Sequence, residues 1–213
     1  MKTITVVLLS VLTFGMLNAQ EASNENNSKW KVKVRGNLYI PNEMASSPAI
    51  YGDFMVQKTI APSLEVAYYL ADNWAVELGV ATSENTFSSF NEVTAQSFDF
   101  GSYRLIPLTL TLQYILDGEQ IRPYLGAGVN YTPFIDKKAS RSFEQVSIDN
   151  AVGFVAQLGF DYKLCEKWFL NFDIKYIVLH LEMETEAKVT GAINNVDFDI
   201  NPLMAGAGIG YRF

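Results

Sequence analysis

Along most of this chain apolar and polar residues alternate singly instead of gathering in blocks. The alternation starts at Trp30. Trp30, Val32, Val34, Leu38 and Ile40 share one parity with Gly36, and Lys31, Lys33, Arg35, Asn37 and Tyr39 share the other. Successive side chains of a strand point to opposite faces, so a period of two predicts a strand with one apolar face. The pattern returns over Ser63–Leu70, Trp74–Thr82, Ile106–Leu116, Ile121–Phe134, Val152–Leu164, Trp168–Leu179 and Val196–Phe213. Most of these segments are about ten residues long, the length a tilted strand needs to cross a bilayer.

The connections sharpen that prediction. Residues 71–73, 117–120 and 165–167 are tight turns rich in Asp, Asn, Gly and Glu, whereas 41–57, 83–105, 135–151 and 180–195 are long and polar. Short and long alternate strictly, as in barrels with periplasmic turns and extracellular loops. Trp30, Tyr68, Trp74, Tyr114, Tyr124, Tyr162, Trp168 and Tyr211 all fall at the turn-side ends of their strands, which predicts an interfacial aromatic girdle. The fold class expected is all-β, an eight-stranded antiparallel transmembrane barrel with both termini on the inner side.

The N-terminus reads differently. Lys2 precedes a mostly apolar run from Ile4 to Leu17 and then Asn18-Ala19-Gln20, the order of a secretory signal peptide spanning 1–19. Residues 20–29 would form a short periplasmic segment and 30–213 the barrel. The chain carries 16 basic and 23 acidic residues; loss of Lys2 leaves 15 against 23, a net charge of −8. An acidic chain without a basic run argues against nucleic acid as a partner. Cys165 is the single cysteine and has no partner for an intrachain disulfide.

The inward parity carries Lys31, Lys33, Arg35, Glu65, Glu77, Arg122, Asp161, Lys163, Asp173, Lys175 and Arg212. Eight strands enclose a space just wide enough for their own side chains, so these charges are read as a paired network filling the lower lumen, not as a wide pore. The inward glycines Gly126, Gly128, Gly206, Gly208 and Gly210 either leave local space or let strands pass large neighbours. Pro107 and Pro202 lie in the upper parts of their strands, where each deletes a ladder donor, and mark a candidate lateral gap in the wall. Apolar residues of the long connections, Phe54, Met55, Phe87, Phe90, Phe98 and Phe100, are candidates for the channel mouth. The alternating edge of Ile209, Tyr211 and Phe213 at the C-terminus is the candidate signal for the barrel-assembly machinery, which would recognise it by strand addition.

Catalytic chemistry is thin. His180 is the single histidine, and no spacing pairs it with a nucleophile, so no enzyme is expected. The Glu182, Glu184 and Glu186 stripe reads as a solvated strand extension, and no metal or cofactor motif is present.

Several segments together resemble the OmpW family of small outer-membrane barrels. They are WKVKVRGNLYIP (30–41), SLEVAYYLADNWAVELGVATS (63–83), LTLTLQYIL (108–116), IRPYLGAGVNYTPF (121–134), VGFVAQLGFDYKLCEKWFLNFDIKYIVL (152–179) and INPLMAGAGIGYRF (200–213). Family members commonly carry His-Leu-Pro-Pro before the fourth strand, where this chain has Leu105-Ile106-Pro107-Leu108. The resemblance implies a barrel in the bacterial outer membrane, in contact with lipid and lipopolysaccharide, that passes small, mainly hydrophobic molecules. A funnel open outside and closed below would suit release sideways into the membrane. The alternative is a non-transporting surface barrel with an adhesive or membrane-stabilising role.

Overall fold

The computed structural model describes residues 29–45, 53–56, 58–91, 96–139, 143–187 and 193–213. The expected signal peptide and most of the segment after it lie outside them. Fifteen strands are found among the described residues. In chain order they are β1 (Trp30–Ile40), β2 (Glu43–Ala45), β3 (Asp53–Val56), β4 (Thr59–Ala71), β5 (Trp74–Ala81), β6 (Ser83–Asn91), β7 (Gln96–Leu105) and β8 (Leu108–Ile115). There follow β9 (Ile121–Thr132), β10 (Phe134–Ala139), β11 (Phe143–Ile148), β12 (Ala151–Lys163), β13 (Trp168–Ala187), β14 (Ile193–Ile200) and β15 (Leu203–Arg212).

Eight of them close a ring in the order β1-β4-β5-β8-β9-β12-β13-β15, every pair antiparallel. The closing pair, β1 with β15, runs from Lys31↔Arg212 to Ile40↔Leu203. Closure removes the unpaired strand edges that an open sheet would present to lipid. The parity predicted from the sequence is the parity observed. Val34, Leu38, Leu78, Leu110, Leu125, Phe154, Leu158 and Ile174 are exposed on the outside. Lys31, Lys33, Arg35, Glu65, Glu77 and Asp173 are buried inside. An apolar outside around a charged inside inverts a soluble protein and suits a hydrocarbon surround.

Three tryptophan–tyrosine pairs on neighbouring strands build the girdle: Trp30 with Tyr68 at 4.8 Å between ring centroids, Trp74 with Tyr114 at 5.0 Å and Trp168 with Tyr211 at 5.0 Å. Tyr124 is a correction to that ring. It is 1% exposed and faces the lumen, because it shares the inward parity of Arg122 and Gly126.

The long connections are a second correction. Much of 41–57, 83–105, 135–151 and 180–195 continues as strand. Two four-stranded sheets rise from the barrel, one ordered β3-β6-β7-β10 and the other β2-β14-β13-β11. Extending a hairpin satisfies backbone donors and acceptors whether or not the side chains alternate in polarity, so these strands escaped a reading based on periodicity. Among the described residues no ladder joins β2 to β3 or β10 to β11. The outer rim thus divides into two flaps above a continuous barrel.

Candidate functional site

The lower lumen is filled by ion pairs. Four cations, Lys31, Lys33, Arg35 and Lys175, meet four carboxylates, Glu65, Glu77, Asp161 and Asp173. Lys31 Nζ lies 2.9 Å from Asp161, Lys33 Nζ 2.6 Å from Glu77, and an Arg35 guanidinium nitrogen 2.6 Å from Asp173. Lys175 bridges Glu65 at 3.6 Å and Glu77 at 3.4 Å. Neutral groups complete the layer. The Tyr124 hydroxyl donates to Asp173 at 3.0 Å and accepts from Asn171 at 2.9 Å, while Gln157 donates to Asp173 and to Glu77. Charges this deep are tolerated only when paired and hydrogen-bonded. The structure brings Lys31, Lys33, Arg35, Glu65, Glu77, Asp161, Asp173 and Lys175, all of inward parity, together in one layer. Arg122 and Arg212, assigned to the same network from sequence, sit beneath it around the Tyr69 ring.

Glycine makes the plug possible. A Cβ on Gly208 would stand 2.3 Å from Cγ of Arg35 and 2.2 Å from the Val34 carbonyl oxygen; one on Gly159 would stand 2.5 Å from the Tyr124 hydroxyl. Of the two roles open to the inward glycine rows, close passage of large neighbours is the one observed at these positions.

Above the plug the same inward rows turn apolar. On β1, Lys31, Lys33, Arg35 and Asn37 give way to Tyr39; on β13, Asn171, Asp173 and Lys175 give way to Ile177 and Leu179. Leu105, Phe134, Val155 and Met204 join them from β7, β10, β12 and β15, each less than a tenth exposed. Ser83 and Thr132 interrupt this collar, and their hydroxyls are bonded to Thr59 at 2.6 Å and Asn130 at 2.7 Å. A void of about 10 Å³ separates the two storeys, with Arg35, Glu65 and Lys175 on its polar side and Ala81, Pro107 and Met204 on its apolar side. That is room for about one water. Sequence reasoning missed the collar because it classed the inward parity as polar throughout. The signal was the change of chemistry within each inward row.

Pro107 and Pro202 are both buried and both face the lumen. Pairing runs in one register past each. Val80↔Leu108 is followed by Ser83↔Leu105, and Tyr176↔Leu203 by Leu179↔Ile200. Their carbonyls stay in the ladder, accepting from Ala81 N at 3.0 Å and Ile177 N at 3.0 Å. Each proline therefore costs one donor, the N–H it would return to the residue opposite. The six candidate mouth residues fall on strands of the outer rim: Phe54 and Met55 on β3, Phe87 and Phe90 on β6, Phe98 and Phe100 on β7. Their side chains lie outside what the structure describes.

At the opposite end, Tyr211 touches both Trp168 and Phe213, with 5.1 Å between the Tyr211 and Phe213 ring centroids, and Ile209 is exposed to the outside. His180 is exposed near the outer rim and bonded to Asp199 at 2.7 Å. Among the described residues no group of three or more His, Cys, Asp or Glu is placed to hold a metal.

The sequence profile of the OmpW family matches residues 30–213. An uncharacterized outer-membrane protein of Sinorhizobium fredii, y4mB, is 37% identical over 188 residues, covering 87% of this chain and 80% of its own. A protein of Pseudomonas aeruginosa named for a dibenzothiophene metabolism operon, PahQ, is 26% identical over 161 residues, covering 72% of this chain and 71% of its own. Among solved structures, the outer-membrane protein OprG of Pseudomonas aeruginosa superposes with a TM-score of 0.78 at 23% identity, covering 87% of this chain and 96% of OprG, a likeness of fold.

Proposed function

The chain belongs to the OmpW family of outer-membrane barrels, and from that premise we propose that it is a narrow passive conduit for small, mainly hydrophobic molecules that are released sideways into the membrane. The observation that carries the reading is the apolar collar set directly on an ion-paired plug. An apolar solute in the collar is removed from water, which stabilises it by about 25 cal/mol for each Å² covered. Continuing downward would bring it against eight buried charges, whose pairing it would have to disrupt. Movement through the wall into hydrocarbon keeps it in apolar surroundings throughout.

The name of PahQ supports the class of solute, since dibenzothiophene is an apolar aromatic compound. For the exit, the missing donors at Pro107 and Pro202 make two weak rungs at collar height, where the lumen side is apolar and the outer side faces lipid. The test is uptake of a panel of apolar and polar solutes into outer-membrane vesicles with and without the protein. Faster entry of apolar solutes alone supports the conduit. Equal rates for every solute would leave the non-transporting surface barrel.

A further inference from the structure

We propose that Tyr39 selects among the solutes of the conduit, favouring apolar molecules that carry one carbonyl group, to which its hydroxyl donates a hydrogen bond; the inference rests on the conduit reading above. Tyr39 lies at the upper end of the inward row of β1, opposite Thr59 on β4 and Met204 on β15. It is 3% exposed.

Neighbouring polar side chains have partners in the wall. Thr59 and Ser83 share a bond at 2.6 Å, and Thr132 donates to Asn130 at 2.7 Å. Asn37, two residues below Tyr39 on the same row, donates to the Ala61 carbonyl at 2.9 Å and to Ser63 at 2.8 Å. The Tyr39 hydroxyl differs. Among the described residues it makes no hydrogen bond, and it is not fully enclosed. It therefore presents one donor to whatever occupies the collar.

The surroundings decide which occupant gains from that donor. A hydrocarbon covering the hydroxyl strips it of water and returns no bond, which is costly among apolar neighbours. A carbonyl oxygen accepts the bond and brings no donor of its own. An alcohol also accepts, but it brings an O–H that Ile177 and Leu179, buried in the same collar, cannot accept. One placed polar group in an otherwise apolar lining is a common way for a small-molecule site to fix the orientation of its ligand.

The test compares three solutes of one shape: the ketone acetylnaphthalene, the hydrocarbon isopropylnaphthalene and the alcohol hydroxyethylnaphthalene. Entry into vesicles carrying the full barrel is measured at low solute concentration, with the protein-free rate subtracted, for the parent and Tyr39→Phe. Both proteins should show the folded barrel's gel mobility, because the hydroxyl removed bonds no described residue of the wall. We expect Tyr39→Phe to slow the ketone about tenfold, to slow the alcohol less and to leave the hydrocarbon within about twofold. A ketone rate unchanged by the substitution, or equal slowing of ketone and hydrocarbon, would overturn the proposal. A second readout does not depend on transport. The carbonyl stretch of isotope-labelled ketone bound to the barrel in detergent should lie at lower frequency in the parent than in Tyr39→Phe. Should no solute enter faster than into protein-free vesicles, the conduit reading fails, and the carbonyl band then decides the role of Tyr39 separately: a shift lost on substitution supports the hydrogen bond, and identical bands overturn it.

Discussion

The two storeys of the lumen are lined by the same strands at the same parity, and differ only in chemistry. Below, Arg35 and Lys175 hold Glu65 and Asp173 in a cross-braced network. Above, Tyr39, Ile177, Leu179 and Met204 fill the corresponding space with no comparable pairing to break. A charged layer opens only by disrupting several ion pairs at once, whereas an apolar layer rearranges by rotamer changes and exchanges its own contacts for those of an apolar guest. The barrel thus has a rigid floor and an adaptable upper chamber, made by a change of chemistry at the upper end of inward rows such as those of β1 and β13.

The largest effect that blurs this contrast comes from the C-terminus, where loss of Phe213 should keep both storeys from forming. Phe213 packs on Tyr211, and its N–H donates to Trp30 across the closing seam at 3.2 Å. Its deletion should leave unfolded protein in the periplasm; a normal yield of heat-modifiable barrel in the outer membrane would refute its role as the assembly signal. Next in size, Arg35→Met strips the floor of its central cation. Leaving Asp173 and Glu65 short of a partner should cost about 3–5 kcal/mol, read as a shift of the urea midpoint in detergent. A loss under about 1 kcal/mol would mean that water enters and the floor is not sealed.

A more local probe is Gly208→Ala, whose new methyl meets Arg35 and the β1 backbone. Overpacking there should cost about 1–3 kcal/mol, whereas the same change at Gly36, which has nothing within 4 Å of its Cβ position and faces outward, should be near neutral. Pro107→Val is the smallest. Returning one N–H to the rung opposite Ala81 should add about 0.5–1.5 kcal/mol and slow entry of apolar solutes. A variant that is more stable yet transports as fast as the parent would remove Pro107 from the exit.

How much of this was legible beforehand follows from what each physical rule reports. Period two gave the face of each strand, and tight turns such as Asp72-Asn73 gave the pairing of neighbours, so the ring and its closure were predictable. Lys31 was read as inward and proved to pair with Asp161 from the other side of the barrel, which no local pattern encodes. Tyr124 was misplaced because its position near the strand end was weighed above its parity. Ile177 and Leu179 were passed over because their row was judged by its lower members. The rim strands β6 and β7 carry Ser, Phe and Asn without regular alternation, and ladder hydrogen bonds formed there regardless.

The claim that the floor is shut and the collar selects is tested most directly by one paired transport experiment. Delivery of a solvatochromic apolar dye through the reconstituted barrel is followed by the emission that distinguishes lipid from water, for the parent, Ile177→Asn and Arg35→Met. Ile177 is 1% exposed in the collar. An amide there, buried without a partner in the solute's path, should slow arrival in lipid about tenfold, equivalent to roughly 1.4 kcal/mol on the barrier. Arg35→Met, if folded, should leave the rate within about twofold, since a barrier the solute never meets contributes nothing. Faster arrival in the inner aqueous space on Arg35→Met, with no change on Ile177→Asn, would show that the solute travels through the floor and would contradict the account.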